Sequence, residues 1–233
     1  MSLFNKIIAQ PADRRSPKVQ EMLAIARQAW TAGNLSRAEN AFFEAVDVAK
    51  KTRAFSDAVE GLLALATLHH VTNPNQAIHE LNECEEIARS HVSESGLSRV
   101  LHKVATGLCA LGHVELARAK FAEGIALDEK SGDTSGWIGK LTSLCALNRQ
   151  EGWYSDCYDI CCEGIRVSEA GKNSPASLSV SLALVELLLD VFEAPEEAQE
   201  QLHSLSILAP RYGDGQQRVE LEFQKARLAL RQG

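Results

Sequence analysis

One phrase of this sequence returns about every 40 residues, and such a period constrains the fold more than any single residue type. Gly33-Asn34-Leu35-Ser36-Arg37-Ala38, followed by Phe42 and Ala45, recurs as Gly112-His113-Val114-Glu115-Leu116-Ala117, followed by Phe121 and Gly124. It returns as Gly152-Trp153-Tyr154-Ser155-Asp156-Cys157, followed by Cys161 and Gly164. Two looser copies fill the register: Asn73-Pro74-Asn75-Gln76-Ala77 with Leu81 and Cys84, and Ala194-Pro195-Glu196-Glu197-Ala198 with Leu202, Leu205 and Pro210. The anchors at 38, 77, 117, 157 and 198 are thus 39, 40, 40 and 41 residues apart. Each period holds two helical patterns, and repeats of this kind bury their apolar faces by stacking on their neighbours.

The anchors are packing positions. Antiparallel helices approach closely where small side chains meet, and a larger apolar residue one turn later fills the space beside them. Gly33, Gly112 and Gly152 precede second helices and permit a left-handed turn that a Cβ would oppose. Pro74 and Pro195 instead preset the first turn of a helix. Ser16-Pro17, Ser56-Asp57, Ser95, Asp133-Thr134 and Ser174-Pro175 read as N-caps. Together these signals predict helices over 17–32, 35–51, 55–72, 74–91, 96–111, 114–130, 134–150, 153–170, 175–193, 195–209 and 215–231. The last has Val219, Leu221, Phe223, Ala226, Leu228 and Leu230 among charges and reads as a solvating cap over 215–231, while Phe4, Ile7 and Ile8 are placed to cover the other end. The organisation expected is an N-terminal segment, 1–16, followed by a single array over 17–233.

The bulk properties narrow the function classes. A formal charge of −7 argues against general affinity for nucleic acid, which clustered Lys and Arg provide. The most apolar stretch, from Leu182 to Leu189, is interrupted by Glu186, so no membrane span is expected. Residues 1–16 lack the apolar core of a secretory signal, and the six cysteines then read as reduced thiols in a cytoplasm.

The pattern resembles the tetratricopeptide repeat family over about residues 17 to 210. Ala26, Gly33, Ala38, Phe42 and Ala45 carry the resemblance best, followed by Leu101, Ala105, Gly112, Ala117, Phe121 and Gly124. The usual repeat is about 34 residues and has an early tryptophan that is missing here, so these helices must be longer. The longer form is similar to the repeats of Rap-type bacterial regulators and of helical sensor domains in large transcription activators. The resemblance implies an all-α, right-handed superhelical solenoid of about five antiparallel helix pairs plus a C-terminal capping helix. It also implies a protein-binding role, with the concave side lined by the first helix of each pair, and it brings no catalytic residue.

Counting from the anchors puts Leu23, Arg27, Trp30 and Thr31 on that side, then Leu62, Ala66, His69 and His70. Arg99, His102, Thr106 and Cys109 follow, then Thr142, Ala146 and Arg149, and finally Ala183, Leu187 and Asp190. The partner-binding set expected is Arg27, Trp30, His69, His70, Arg99, His102 and Arg149, because Arg and aromatics dominate interface energy and three arginines focus positive potential in an acidic chain. The ligand expected is an acidic or phosphorylated segment of another protein. The chain then reads as an adaptor, with a regulatory peptide or small-ligand sensor and a homo-oligomeric module as alternatives.

No enzyme, metal or cofactor is expected. Cys157 and Cys161 lie one helical turn apart, but zinc needs two more ligands, and both fall on the packing positions of Ala38 and Phe42. Cys84 and Cys145 likewise replace small residues. His69 and His102 belong to no HExxH pattern, and phosphate-loop and nucleophile-elbow signatures are lacking.

Overall fold

The computed structural model describes residues 15–170 and 174–232. Phe4, Ile7 and Ile8 lie outside these, as do the side chains of Ser174 and Pro175. Among the described residues eleven helices follow one another: α1 (Pro17–Thr31), α2 (Leu35–Lys51), α3 (Phe55–Thr72), α4 (Pro74–His91), α5 (Glu94–Ala110), α6 (Val114–Ser131), α7 (Thr134–Gln150), α8 (Tyr154–Ala170), α9 (Ser174–Asp190), α10 (Pro195–Tyr212) and α11 (Gly215–Gln232). They pack in sequence as antiparallel pairs. Two compact units result, the first ending at Leu127 and the second running from Asp128.

The anchors are where the helices meet. Ala38, Ala77, Ala117, Cys157 and Ala198 are each 0% exposed, and the residues four later, Phe42, Leu81, Phe121, Cys161 and Leu202, are all buried. Positions seven later are small or apolar and buried too: Ala45, Cys84, Gly124, Gly164 and Leu205. At Gly164 a Cβ would stand 2.8 Å from Val180 Cγ1 on α9, so the glycine sets how closely α8 and α9 approach. In the second unit, α9 has so many apolar residues on so many faces (Leu178, Val180, Leu184, Val185, Leu187, Leu188) that it must be covered all round. It is: α7, α8, α10 and α11 all contact it.

The loops repeat as well. Gly33, Gly112 and Gly152 have φ of +76°, +78° and +77°, and after each the next N–H bonds back to the last turn: Asn34 to Ala29, His113 to Leu108 and Trp153 to Asn148. The same closure joins consecutive helix pairs, from Ala54 to Ala49 and from Asp133 to Asp128. In the first of these, Arg53 takes the left-handed position at φ +58° despite its Cβ.

Two expected caps are corrected. Helix α3 starts at Phe55 with Ala54 as N-cap, so Ser56 and Asp57 lie inside its first turn. Asp57 is buried and reaches across to α1, accepting the Ser16 N–H at 2.6 Å and Gln20 Nε2 at 2.7 Å. Ser16 is the N-cap of α1 as expected, but its side chain makes no capping bond, and the carboxylate of another helix pins the start of α1. For α5 the cap is Ser93, two residues earlier than Ser95, and it accepts the Gly96 N–H at 3.2 Å. Asp133 caps α7 as expected. The uncapped starts differ from Asn34 and Asn73, whose side chains accept from the Arg37 and Gln76 N–H groups.

Helix α11, expected as a solvating cap, leaves apolar side chains exposed. Leu221, Gln224 and Leu228 are buried, while Val219 and Leu230 are 71% and 84% exposed.

Lys140 on α7 is 1% exposed, and its ammonium lies 2.5 Å from the buried carboxylate of Asp128. Gly136 makes room for the pair, since a Cβ there would meet Asp128 Oδ2 at 2.7 Å. Replacing Lys140 by Met removes the ammonium from this buried carboxylate, at a cost of up to about 3–5 kcal/mol. Urea unfolding is expected to show that loss for Lys140→Met and recovery of most of it when Asp128→Leu is added.

Candidate functional site

The first helices of three consecutive pairs, α1, α3 and α5, together wall a cleft of about 740 Å³ in the first unit. From α3 it takes Glu60, Leu63, Ala64, Ala66, Thr67 and His70, and from α5 Arg99, His102, Lys103, Thr106, Gly107, Ala110 and Leu111. Arg27 of α1 and Leu81 of α4 complete it. The residues of α5 fall three and four apart, as one face of a helix requires.

A second cleft of about 440 Å³ continues the first, sharing Glu60, Leu63, Arg99 and Lys103 and adding Arg15, Val59, Val92 and Val100. Four permanent cations (Arg15, Arg27, Arg99 and Lys103) and one carboxylate, Glu60, thus line the pair of clefts. Arg27 and Arg15 both bind Glu60, the latter at 2.8 Å. Arg99 donates to Ser95 Oγ at 3.4 Å, and among the described residues neither it nor Lys103 meets a carboxylate. Positive charge is therefore least compensated on α5, next to the apolar surface of Leu63, Leu81, Ala110 and Leu111.

Of the seven residues expected at a binding surface, Arg27, His70, Arg99 and His102 line this cleft. His102 also lies edge-on to Phe121, 5.7 Å between centroids. The other three are elsewhere. Trp30 is half-buried and packs edge-on against Phe42 at 6.1 Å, as part of the α1–α2 contact. Arg149 belongs to the second unit and is ion-paired with Glu186. His69 is 7% exposed and turns away from the cleft. Its Nδ1 lies 2.8 Å from Glu80 and its Nε2 3.0 Å from Glu39, so one imidazole ties α3 to α4 and α2.

Leu23, Leu62 and Leu187, counted on the concave side, are core residues instead. The sequence reading missed Lys103, Glu60 and Thr67. Lys103 follows Arg99 by one helical turn and was legible from that spacing. On α3 the expected Ala66 and His70 line the cleft while Leu62 and His69 do not, and Leu63 and Thr67 stand beside them, because that helix is apolar around most of its circumference.

The cysteines are packing residues with one close cluster. Cys84, Cys145, Cys157 and Cys161 are all buried. Cys145 and Cys161 have their sulfurs 3.5 Å apart, and the Cys157 thiol donates to the Cys145 carbonyl at 3.2 Å. Burial pushes Cys84 up to about 12 and Cys157 likewise to about 12. Among the described residues no group of three or more His, Cys, Asp or Glu side chains is arranged to hold a metal ion. None of the described helices is long and apolar enough to cross a membrane.

No protein-family model and no curated protein matches the chain. Among solved structures it is similar to a putative kinesin light chain of Podospora anserina with nearly identical TPR-like repeats, at TM-score 0.65 and 15% identity over 82% of this chain and 94% of that one. It is also similar to aspartyl phosphate phosphatase F of Bacillus subtilis, at TM-score 0.71 and 14% identity over 90% of this chain and 56% of that one. A Rap protein complexed with competence and sporulation factor matches at TM-score 0.58 and 17% identity, over 96% of this chain and 67% of that one. The structural neighbours are thus tetratricopeptide-like repeat proteins, as the anchor residues implied, and identities this low carry the fold alone.

The His69 cluster gives the stability a pH dependence. Burial acts to lower the His69 pKa, but hydrogen bonds to the Glu80 and Glu39 carboxylates outweigh it and hold the value above the usual histidine range. Burial also raises Glu80, partly offset by its bond to His69. Both groups hold protons more tightly folded than unfolded. Their stabilisation is therefore complete below the unfolded values and lost as pH rises through the folded ones. The melting temperature is expected to fall as pH rises through and above the ordinary histidine range, and His69→Gln to remove most of that slope. Thiol labelling with Ellman's reagent is expected to reach exposed Cys162 first and half-buried Cys109 more slowly, with the four buried thiols reacting only in denaturant.

Proposed function

We propose that the chain is a protein-interaction module whose cleft across α1, α3 and α5 receives an extended segment of a partner protein carrying acidic and aliphatic side chains. The observation that carries this reading is the charge pattern of α5. Among the described residues Arg99 and Lys103 meet no carboxylate and stand beside apolar surface, in a chain whose formal charge is −7. A local basic site in an acidic protein attracts anionic groups and discourages self-contact through the same face. Carboxylates of the segment meet Arg99 and Lys103, and its aliphatic side chains cover Leu63, Leu81, Ala110 and Leu111. His70 and His102 supply further polar contacts along the walls.

One structural neighbour, a Rap protein, is in complex with competence and sporulation factor, which supports such a role. The phosphatase named among the neighbours is a longer chain, of which this protein covers 56%. The mixture of basic and apolar surface in the cleft supports binding of a segment with both kinds of side chain. The seven-residue set read from sequence contracts in this proposal to Arg27, His70, Arg99 and His102, with Lys103 added.

Peptides selected by phage display on the wild-type protein are expected to be rich in Asp or Glu alternating with Leu, Ile or Phe. Their affinity, measured by fluorescence anisotropy, is expected to fall at least about tenfold in Arg99→Glu/Lys103→Glu, with the melting temperature nearly unchanged because both residues are exposed. Equal affinity for the double variant would remove the cleft from the binding surface.

A further inference from the structure

The last helix has two apolar faces. One, formed by Leu221, Gln224 and Leu228, is buried. On the opposite side Val219, Phe223 and Leu230 are 71%, 56% and 84% exposed, and Ala226 between them is exposed as well. The spacing 219, 223, 226, 230 is four, three and four residues, the alternation of the two core positions of a heptad. An exposed stripe of this length marks an interaction surface on a water-borne protein.

We infer that this face of α11 is a self-association surface, on which a second copy of the chain places its own α11 antiparallel. Three features of the helix select that occupant. First, the four-three-four spacing reads the same in both directions, so a twofold axis between Phe223 and Ala226 superposes the stripe on itself. Second, that axis sets the largest residue against the smallest: Phe223 of one copy packs on Ala226 of the other, twice, while Val219 meets Leu230. A parallel pairing would oppose Phe223 to Phe223 and leave a gap between the two alanines, so filling the interface requires the antiparallel direction. Third, Glu220 and Arg227 flank the stripe on one side, at positions that face each other across an antiparallel pair, with opposite charges.

Arg227 is already held beside this surface. It is paired with Asp190, donates to Gln224 Oε1 at 2.9 Å, and lies 5.6 Å over the Phe223 ring. Meeting Glu220 of the second copy therefore asks for little reordering of the guanidinium. An 18-residue helix is about 27 Å long, so the contact is at the small end of specific interfaces and the dimer is a reversible one in the micromolar range. The inference is independent of the cleft, which lies in the other unit.

Sedimentation equilibrium of the full chain tests it. The wild type is expected to form a concentration-dependent dimer, and Phe223→Glu to raise the dissociation constant at least about tenfold. Ala226→Phe is the decisive variant. It adds apolar surface, yet in the antiparallel pair it sets phenylalanine against phenylalanine twice, so it is expected to weaken the dimer by a similar factor. The exchange Phe223→Ala/Ala226→Phe restores the size match and is expected to return the dissociation constant to within about threefold of wild type. These positions are exposed in the single chain, so circular dichroism should show all variants folded. A wild type that stays monomeric at high micromolar concentration would overturn the proposal and leave the face to a different protein or helix. Tighter dimerisation by Ala226→Phe would overturn the antiparallel arrangement.

Discussion

The architecture depends on how closely two helices can approach. At each anchor a side chain no larger than a thiol is fully buried, and a bulkier one a turn later locks the pair sideways. Because the distance is set by atoms in van der Waals contact, it is insensitive to solvent and repeats from pair to pair. Everything else in the fold is arranged around that spacing: the left-handed loop residues that turn the chain back, the apolar α9 enclosed by four neighbours, and the clefts where first helices lie side by side. Where the position seven residues after an anchor is glycine, as at Gly164, the neighbouring valine fills the space of the missing Cβ, so contact is kept there too.

This is why the helices could be placed from sequence to within a few residues while their faces could not. Small–large pairs, glycine turns and proline starts are local signals with a period, and a repeat multiplies them. Facing is a different problem. Helix α3 buries Asp57, Val59, Leu62, Leu65 and His69, so hydrophobicity alone does not show which side is open, and the expected surface took in Leu62 and His69 beside Ala66 and His70. Trp30 misled for another reason: an aromatic near a helix end serves packing as well as binding, and here Phe42 occupies one of its edges. Arg99 and His102 were legible because α5 is plainly two-sided.

The buried charges lay beyond the reach of pattern reading. Asp57, His69 and Lys140 sit on helices α3 and α7, where a charge looks like a solvated residue, and each finds its partner on a helix elsewhere in the chain. Such groups add little net stability compared with apolar replacements, but they tolerate very few geometries. In a repeat array, where one helix pair resembles the next, a buried ion pair that occurs once gives its site an identity. Asp57 does this for the start of α1, and the His69 cluster does it for the junction of α2, α3 and α4.

The sharing of Glu60 between Arg15 and Arg27 has a consequence for anything the cleft holds. Positive charge is neutralised on the α1 wall and left open near the start of α5, whereas the far end of α5 presents Ala110 and Leu111. Twelve residues of helix, about 18 Å, separate Arg99 from Leu111. The cleft is thus polarised along its length. A symmetric groove would admit a chain in either sense, but this one distinguishes head from tail, and an occupant with its acidic and greasy parts in the wrong order gains from only one of them at a time.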